Sequence, residues 1–312
     1  MNIRHSLYKK NKGIVFLSLG LMVVVLLIVS YTYFPKKNDN KSVSGISQVR
    51  KSNSTILGLQ QVENVTSGNT QNSSVNVASI SPTITTEVNP SGFCLFVPVL
   101  LYHHIEPIAQ AKSEGHAQLT VDANIFDSQM KYLKDNGYKS ISAEELVNAI
   151  ISHHNLGKTV VVTLDDGYND AYNFAFPIAK KYGIILNLMI PTGLLENKGY
   201  MNWGQLKEMV HSGQAQAYDH TWSHFSLPKG DDAKIQMEIM TAKNQLEQNL
   251  GKTAKILTYP YGTTSQKVIT ALQKNGFIAA FSTLPSFYQC DSFLFNLKRN
   301  RIGNASLSAY GL

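Results

Sequence analysis

The sequence has 312 residues, 43% hydrophobic and 16% charged, enough for one large domain with additional segments. Its formal net charge of +7 is lopsided: residues 1–96 hold nine Lys+Arg against three Asp+Glu, and residues 97–312 hold nineteen against eighteen. The basic balance therefore belongs to the N-terminal part, and a broad nucleic-acid-binding face, which needs clustered basic surface, is not expected.

Residues 1–13 form a basic tail carrying Arg4, Lys9, Lys10 and Lys12. Ile14 to Phe34 is apolar apart from Ser, Thr, Gly and Tyr. That length matches a bilayer core, which needs about 20 residues. The flanking lysines favour a cytoplasmic N-terminus with the remainder outside. A cleaved signal peptide is the alternative, giving a secreted protein. However, Ser30-Tyr31-Thr32-Tyr33-Phe34-Pro35 is a poor small-residue cleavage site. Residues 35–94 then turn to Ser, Thr, Asn, Gln and Val, a composition that buries too little apolar surface to fold and reads as a flexible linker. The expectation is a single-pass membrane protein with residues 95–312 as an extracellular domain.

In that domain strands and helices alternate. A buried-strand run covers 97–102. Residues 124–136 have near-helical apolar spacing closed by Gly137. A short strand at 139–141 leads to Ser142, which caps a helix with Glu145 as its capping-box partner. A β-branched strand follows at 159–163, a helix at 170–182, a strand at 184–190 and a helix at 203–211. After these come a strand at 215–218, a helix at 233–250, a strand at 255–258, a helix at 265–274 and a strand at 277–281. Such alternation predicts a parallel sheet with crossover helices, and the number of β/α units suits a barrel better than an open sheet. Cys94 and Cys290 lie far apart; a disulfide and two free thiols both remain open.

Four motifs carry chemistry. Thr163-Leu164-Asp165-Asp166-Gly167 falls at the C-terminal end of a strand, where α/β barrels gather functional groups. One carboxylate can ligate a metal while its neighbour holds a water; a simple turn is the plainer reading. His220-Thr221-Trp222-Ser223-His224 spaces two imidazoles by about one helical turn, so that both can reach one ion. It lacks the Glu of the zincin motif. A carboxylate with two imidazoles and open positions suits catalytic zinc. Thr258-Tyr259-Pro260-Tyr261-Gly262 offers a rigid loop, tyrosines for a sugar groove and a backbone N–H for an oxyanion. Tyr102-His103-His104 ends the first strand, where alternation sends one imidazole into the barrel mouth.

Taken in order, YHHI, TLDDG, HTWSH and YPYG resemble the polysaccharide deacetylases of carbohydrate esterase family 4, closest to the poly-N-acetylglucosamine deacetylase-like branch. The resemblance spans about residues 97–283 and implies a distorted (β/α)7 barrel. It implies Asp165 as general base and Asp166, His220 and His224 as ligands of a divalent metal, zinc foremost, with cobalt or nickel as alternatives. It further implies Tyr261 as an oxyanion donor through its backbone and His103 as general acid. Trp222, Tyr259 and Pro260 would face the sugar.

Three departures stand out. Thr258 replaces the Arg that often opens the third motif, Asp219 replaces the usual Ser or Asn before His220, and the late Leu-x-His motif is missing from 284–312. The expected reaction is N-deacetylation of an extracellular N-acetylglucosamine polymer, peptidoglycan or poly-N-acetylglucosamine. The rivals are an O-deacetylase of xylan or another acetylated glycan, and an inactive glycan-binding homologue.

Overall fold

The computed structural model describes residues 92–312. The predicted basic tail, the anchor at 14–34 and the linker as far as residue 91 lie outside the described residues. Among those described, no helix is long and apolar enough to cross a membrane.

Folded structure begins within the last residues assigned to the linker. The Phe93 amide donates to Asp291 at 3.0 Å, and β1 (Cys94–Phe96) pairs antiparallel with β11 (Tyr288–Cys290). Cys94 and Cys290 are joined by a disulfide across a sequence separation of 196. In the chain-entropy account, closing a loop of that length removes about 5 kcal/mol of freedom from the unfolded chain. Replacing both cysteines with Ser is therefore expected to lower the denaturant midpoint of the oxidised protein markedly. An unchanged midpoint would refute that role for the bridge.

The main sheet contains β2 (Val99–Tyr102), β6 (Thr159–Asp165), β7 (Leu186–Ile190), β8 (Ala215–Asp219), β9 (Ile256–Thr258), β10 (Ala279–Phe281) and β12 (Asn300–Arg301). Their order is β12-β2-β6-β7-β8-β9-β10, every neighbouring pair is parallel, and β5 (Lys139–Ser140) adds to the start of β6. One bridge, Phe281 to Leu297, joins the far edge to the segment leading into β12. The sheet is thus a curled, barrel-like parallel layer rather than an evenly closed barrel.

The predicted helices are α2 (Ala123–Asp135), α3 (Ala143–Ile151), α4 (Phe176–Tyr182), α5 (Trp203–His211), α6 (Asp232–Leu250) and α7 (Gln266–Lys274). The one at 170–182 is shorter than expected, because residues 171–175 form a π-helical turn ahead of α4. Pro177 has no N–H to donate backward, which breaks the α-helical ladder there. At α3, Ser142 accepts from the Glu145 amide at 3.0 Å, but the Glu145 side chain pairs with Lys139, so only half of the capping box forms. Periodicity gave no warning of α1 (Ile108–Glu114) or of the parallel pair β3 (His104–Glu106) and β4 (Thr120–Asp122).

Strand alternation divides the core. Val160, Val162 and Leu164 of β6 pack with Phe126, Met130 and Ala179 from α2 and α4 on the outside of the sheet. Val161 packs with Val99, Met189, Ile256 and Phe281 on the inner face, where α3 contributes Leu146, Val147 and Ile150. Asn187 fixes α3 in place: its Oδ1 accepts from the Ala143 amide at 2.8 Å. Thr163 and Asp165 share the parity of Val161, which puts the Asp165 carboxylate on the inner face at the C-terminal rim.

Candidate active site

Asp165 closes β6 and is 5% exposed. Arg299 grips both of its oxygens, Nη1 to Oδ1 at 2.6 Å and Nη2 to Oδ2 at 2.8 Å. The same guanidinium donates through Nε to the Ser282 carbonyl and through Nη1 to Thr163 Oγ1. Arg299 is fully buried, and this fork-to-carboxylate pairing is the strongest geometry available to it. Burial would raise the Asp165 carboxyl; the Arg299 charge and hydrogen bonds outweigh it and hold the group below the usual carboxylate range. The Arg missing from the third motif is thus supplied by the segment entering β12.

The next residue takes a left-handed backbone, φ 74°, and turns its carboxylate the other way. Asp166 Oδ1 lies 3.4 Å from His220 Nε2 and 3.2 Å from His224 Nε2. The three ligand atoms fall within 4.8 Å of one another. Asp166 Oδ1 is buried and has no partner in hydrogen-bond geometry. An orphaned carboxylate oxygen facing two imidazole nitrogens is a donor set that a divalent ion satisfies, and open positions would remain for substrate. The other His220 nitrogen donates to the Thr258 carbonyl at 2.7 Å, which fixes the tautomer with Nε2 free.

The two imidazoles do not converge by helical spacing. The segment after β8 is a loop, with positive φ at Thr221 (66°) and His224 (59°). The loop is pinned on several sides. Asp219 Oδ1 accepts the Thr221 amide, Glu238 of α6 accepts both the amide and the hydroxyl of Ser223, and the Gly193 amide donates to the Trp222 carbonyl at 2.7 Å. A Cβ on Gly193 would sit 2.6 Å from the Trp222 indole nitrogen, so only glycine allows this approach. Trp222 is partly buried against that strand-end backbone. Burial pushes the Asp219 carboxyl up to about 8, against the pull of the Thr221 amide that it accepts.

The YPYG loop corrects the reading of its aromatics. Tyr259 is 0% exposed, packs with Leu257, Leu272 and Phe277, and donates its hydroxyl to the Phe295 carbonyl. It is a core residue and presents no face to a sugar. Pro260 is buried as well and shapes the turn. Tyr261 is the exposed one, at 66%, with φ 62° and its ring 4.8 Å from His224. The two histidines after β2 part company as alternation requires. His103 senses the charges of Asp165 and Asp166; burial lowers its pKa against their pull. His104 turns away, with Nδ1 on Asp170 at 2.5 Å and its ring stacked on Tyr168.

The rim thus brings together Asp165, Asp166, His103, His220, His224 and Tyr261, leaves Trp222 beside them, and sends Tyr259 and Pro260 into the interior. Sequence reasoning missed Arg299 and Glu238. Charged residues ordinarily mean surface, and only the pairing across the barrel reveals the role of Arg299.

The profile of the polysaccharide deacetylase family matches residues 153–280, spanning both metal-ligand segments and the YPYG loop. Across that stretch the chain is similar to the family, a likeness shared by relatives and solved structures that are themselves deacetylases. YxkH of Bacillus subtilis, named for the same family, is 29% identical over 217 residues, covering 69% of this chain and 75% of YxkH. The poly-β-1,6-N-acetyl-D-glucosamine N-deacetylase of Staphylococcus epidermidis is 26% identical over 192 residues, 57% of this chain and 66% of that relative. Among solved structures, the Streptococcus pyogenes deacetylase PplD in complex with acetate superposes with a TM-score of 0.65 at 27% identity, covering 70% of this chain and 97% of PplD.

Proposed function

We propose that the chain removes N-acetyl groups from an extracellular N-acetylglucosamine polymer with the help of a divalent metal. The observation that carries this is the side-by-side arrangement of an Arg-paired carboxylate and a carboxylate facing two imidazoles. Asp166, His220 and His224 would hold the ion, zinc by donor chemistry. When bound, the ion supplies a Lewis acid for the acetyl carbonyl.

The chain's own groups do the rest. Asp165, kept ionised and oriented by Arg299, takes the proton of the attacking water on a carboxylate oxygen. The Tyr261 backbone N–H, in its exposed left-handed turn, is offered to the developing oxyanion. His103, on the same rim, passes a proton to the leaving amine. The oxidised Cys94–Cys290 pair supports an oxidising compartment, as an anchor at 14–34 with residues 95–312 outside the membrane would provide. The staphylococcal relative favours a poly-N-acetylglucosamine substrate over peptidoglycan.

Acetate release from poly-β-1,6-N-acetylglucosamine, peptidoglycan and acetylated xylan, with and without chelator, tests the reading. Release is expected from the first polymer and is expected to vanish on chelation and return with zinc. Release from xylan alone would establish the O-deacetylase, and release unaffected by chelation would remove the metal from the mechanism.

A further inference from the structure

A second group of metal-ligating side chains lies outside the site just described. Glu106 of β3 is 2% exposed, and its Oε1 is buried with no hydrogen-bond partner. That oxygen lies 3.3 Å from His116 Nδ1 without reaching hydrogen-bond geometry. His104, two residues before Glu106, commits Nδ1 to Asp170 and keeps Nε2 free. Ligand atoms of His104, Glu106 and His116 lie within 4.8 Å of one another. The cluster lines a cleft of about 710 Å³ together with Glu114, Asp170 and Tyr200.

We propose that His104, Glu106 and His116 form a second site for a divalent transition-metal ion, separate from the Asp166 centre. A carboxylate oxygen left buried and unpaired is destabilising, and a cation lifts that penalty. Two imidazoles beside a carboxylate select zinc-like ions over calcium or magnesium, which prefer all-oxygen shells. Asp170 behind His104 repeats the carboxylate–imidazole support that metal-bound histidines use.

The His104 and His116 rings stack at 4.1 Å, so binding requires His116 to swing out of the stack. Its contacts to Glu114, Glu106 and Thr120 are 3.1–3.3 Å long, and Glu114 is half exposed. An ion there would clamp His104 and, through the Tyr168 ring stacked on it at 3.6 Å, the loop just after Asp166.

The test is metal stoichiometry, which is independent of turnover. The full-length chain is stripped with chelator, equilibrated with zinc, freed of unbound ion and assayed by mass spectrometry for metal per protein. The wild type is expected to hold two ions, Glu106→Gln and His116→Gln one each, and Asp166→Asn one. A wild-type count of one lost in Asp166→Asn would overturn the second site. So would a count of two that neither Glu106→Gln nor His116→Gln lowers, since the second ion would then lie elsewhere. Thermal melts of both variants identify any loss of metal that merely follows unfolding, and the variant that stays folded decides.

Discussion

Asp165→Asn is expected to cut deacetylation by about 10²–10⁴-fold, the usual contribution of a positioned general base, while zinc affinity stays close to that of the wild type. The separation of these effects follows from the geometry. Asp165 engages Arg299 through both oxygens, whereas Asp166 faces the imidazoles, so the substitution leaves the ion's donor set intact. An amide can still accept one hydrogen bond from the guanidinium but cannot balance its charge, so a drop in melting temperature is also expected. Initial rates of acetate release and zinc titrations on the same preparation read both effects. Wild-type turnover would remove Asp165 from its role, and lost zinc binding would mean that the two carboxylates had been assigned the wrong way round.

Arg299→Met is expected to have the largest combined effect. It strands an ionised carboxylate in a site that is 5% exposed, and breaking a buried pair in this way costs about 3–5 kcal/mol. Activity should fall too, since the base loses its orientation and burial then raises its carboxyl. The pH dependence distinguishes this cause from a general packing defect. In the wild type the Asp165 folded pKa lies below its unfolded value, so its stabilisation is present above the unfolded pKa and is lost as pH falls through the folded one. In the variant that shift is reversed, so the stability gap should narrow in acid. The double variant Asp165→Asn/Arg299→Met removes both charges and should recover much of the stability with none of the activity. Equal instability of the double and single variants across pH would exclude the stranded charge as the cause.

Much of this was legible in the residues. β-branched runs, glycine stops and Ser142 as a cap located the parallel strands and helices, because local propensity and burial agree there. Asp166, His220 and His224 were legible as a set because each follows a strand and therefore reaches the same rim. Other features depend on long-range packing. The left-handed turns at Thr221 and His224, which replace the expected helical turn, are held by Glu238 and Gly193 from other elements, alongside a local bond from Asp219 to the Thr221 amide. Tyr259 read as a groove residue because an aromatic in a Pro-Gly loop gives no sign of which way it points; the core beneath it decided. Arg299 was opaque for the same reason, since nothing near it in sequence marks it as buried.

The Asp165–Arg299 pair joins residues 134 positions apart, and Arg299 follows Cys290 by only a few residues. On the ribosome, the carboxylate is made long before its counter-charge exists. Every other proposed catalytic or ligand group is in hand by Tyr261, yet the base cannot be neutralised until β12 has emerged and threaded beside β2. Catalytic competence therefore waits for Arg299, and a nascent chain stalled before it should be inert however well its ion-binding rim has assembled.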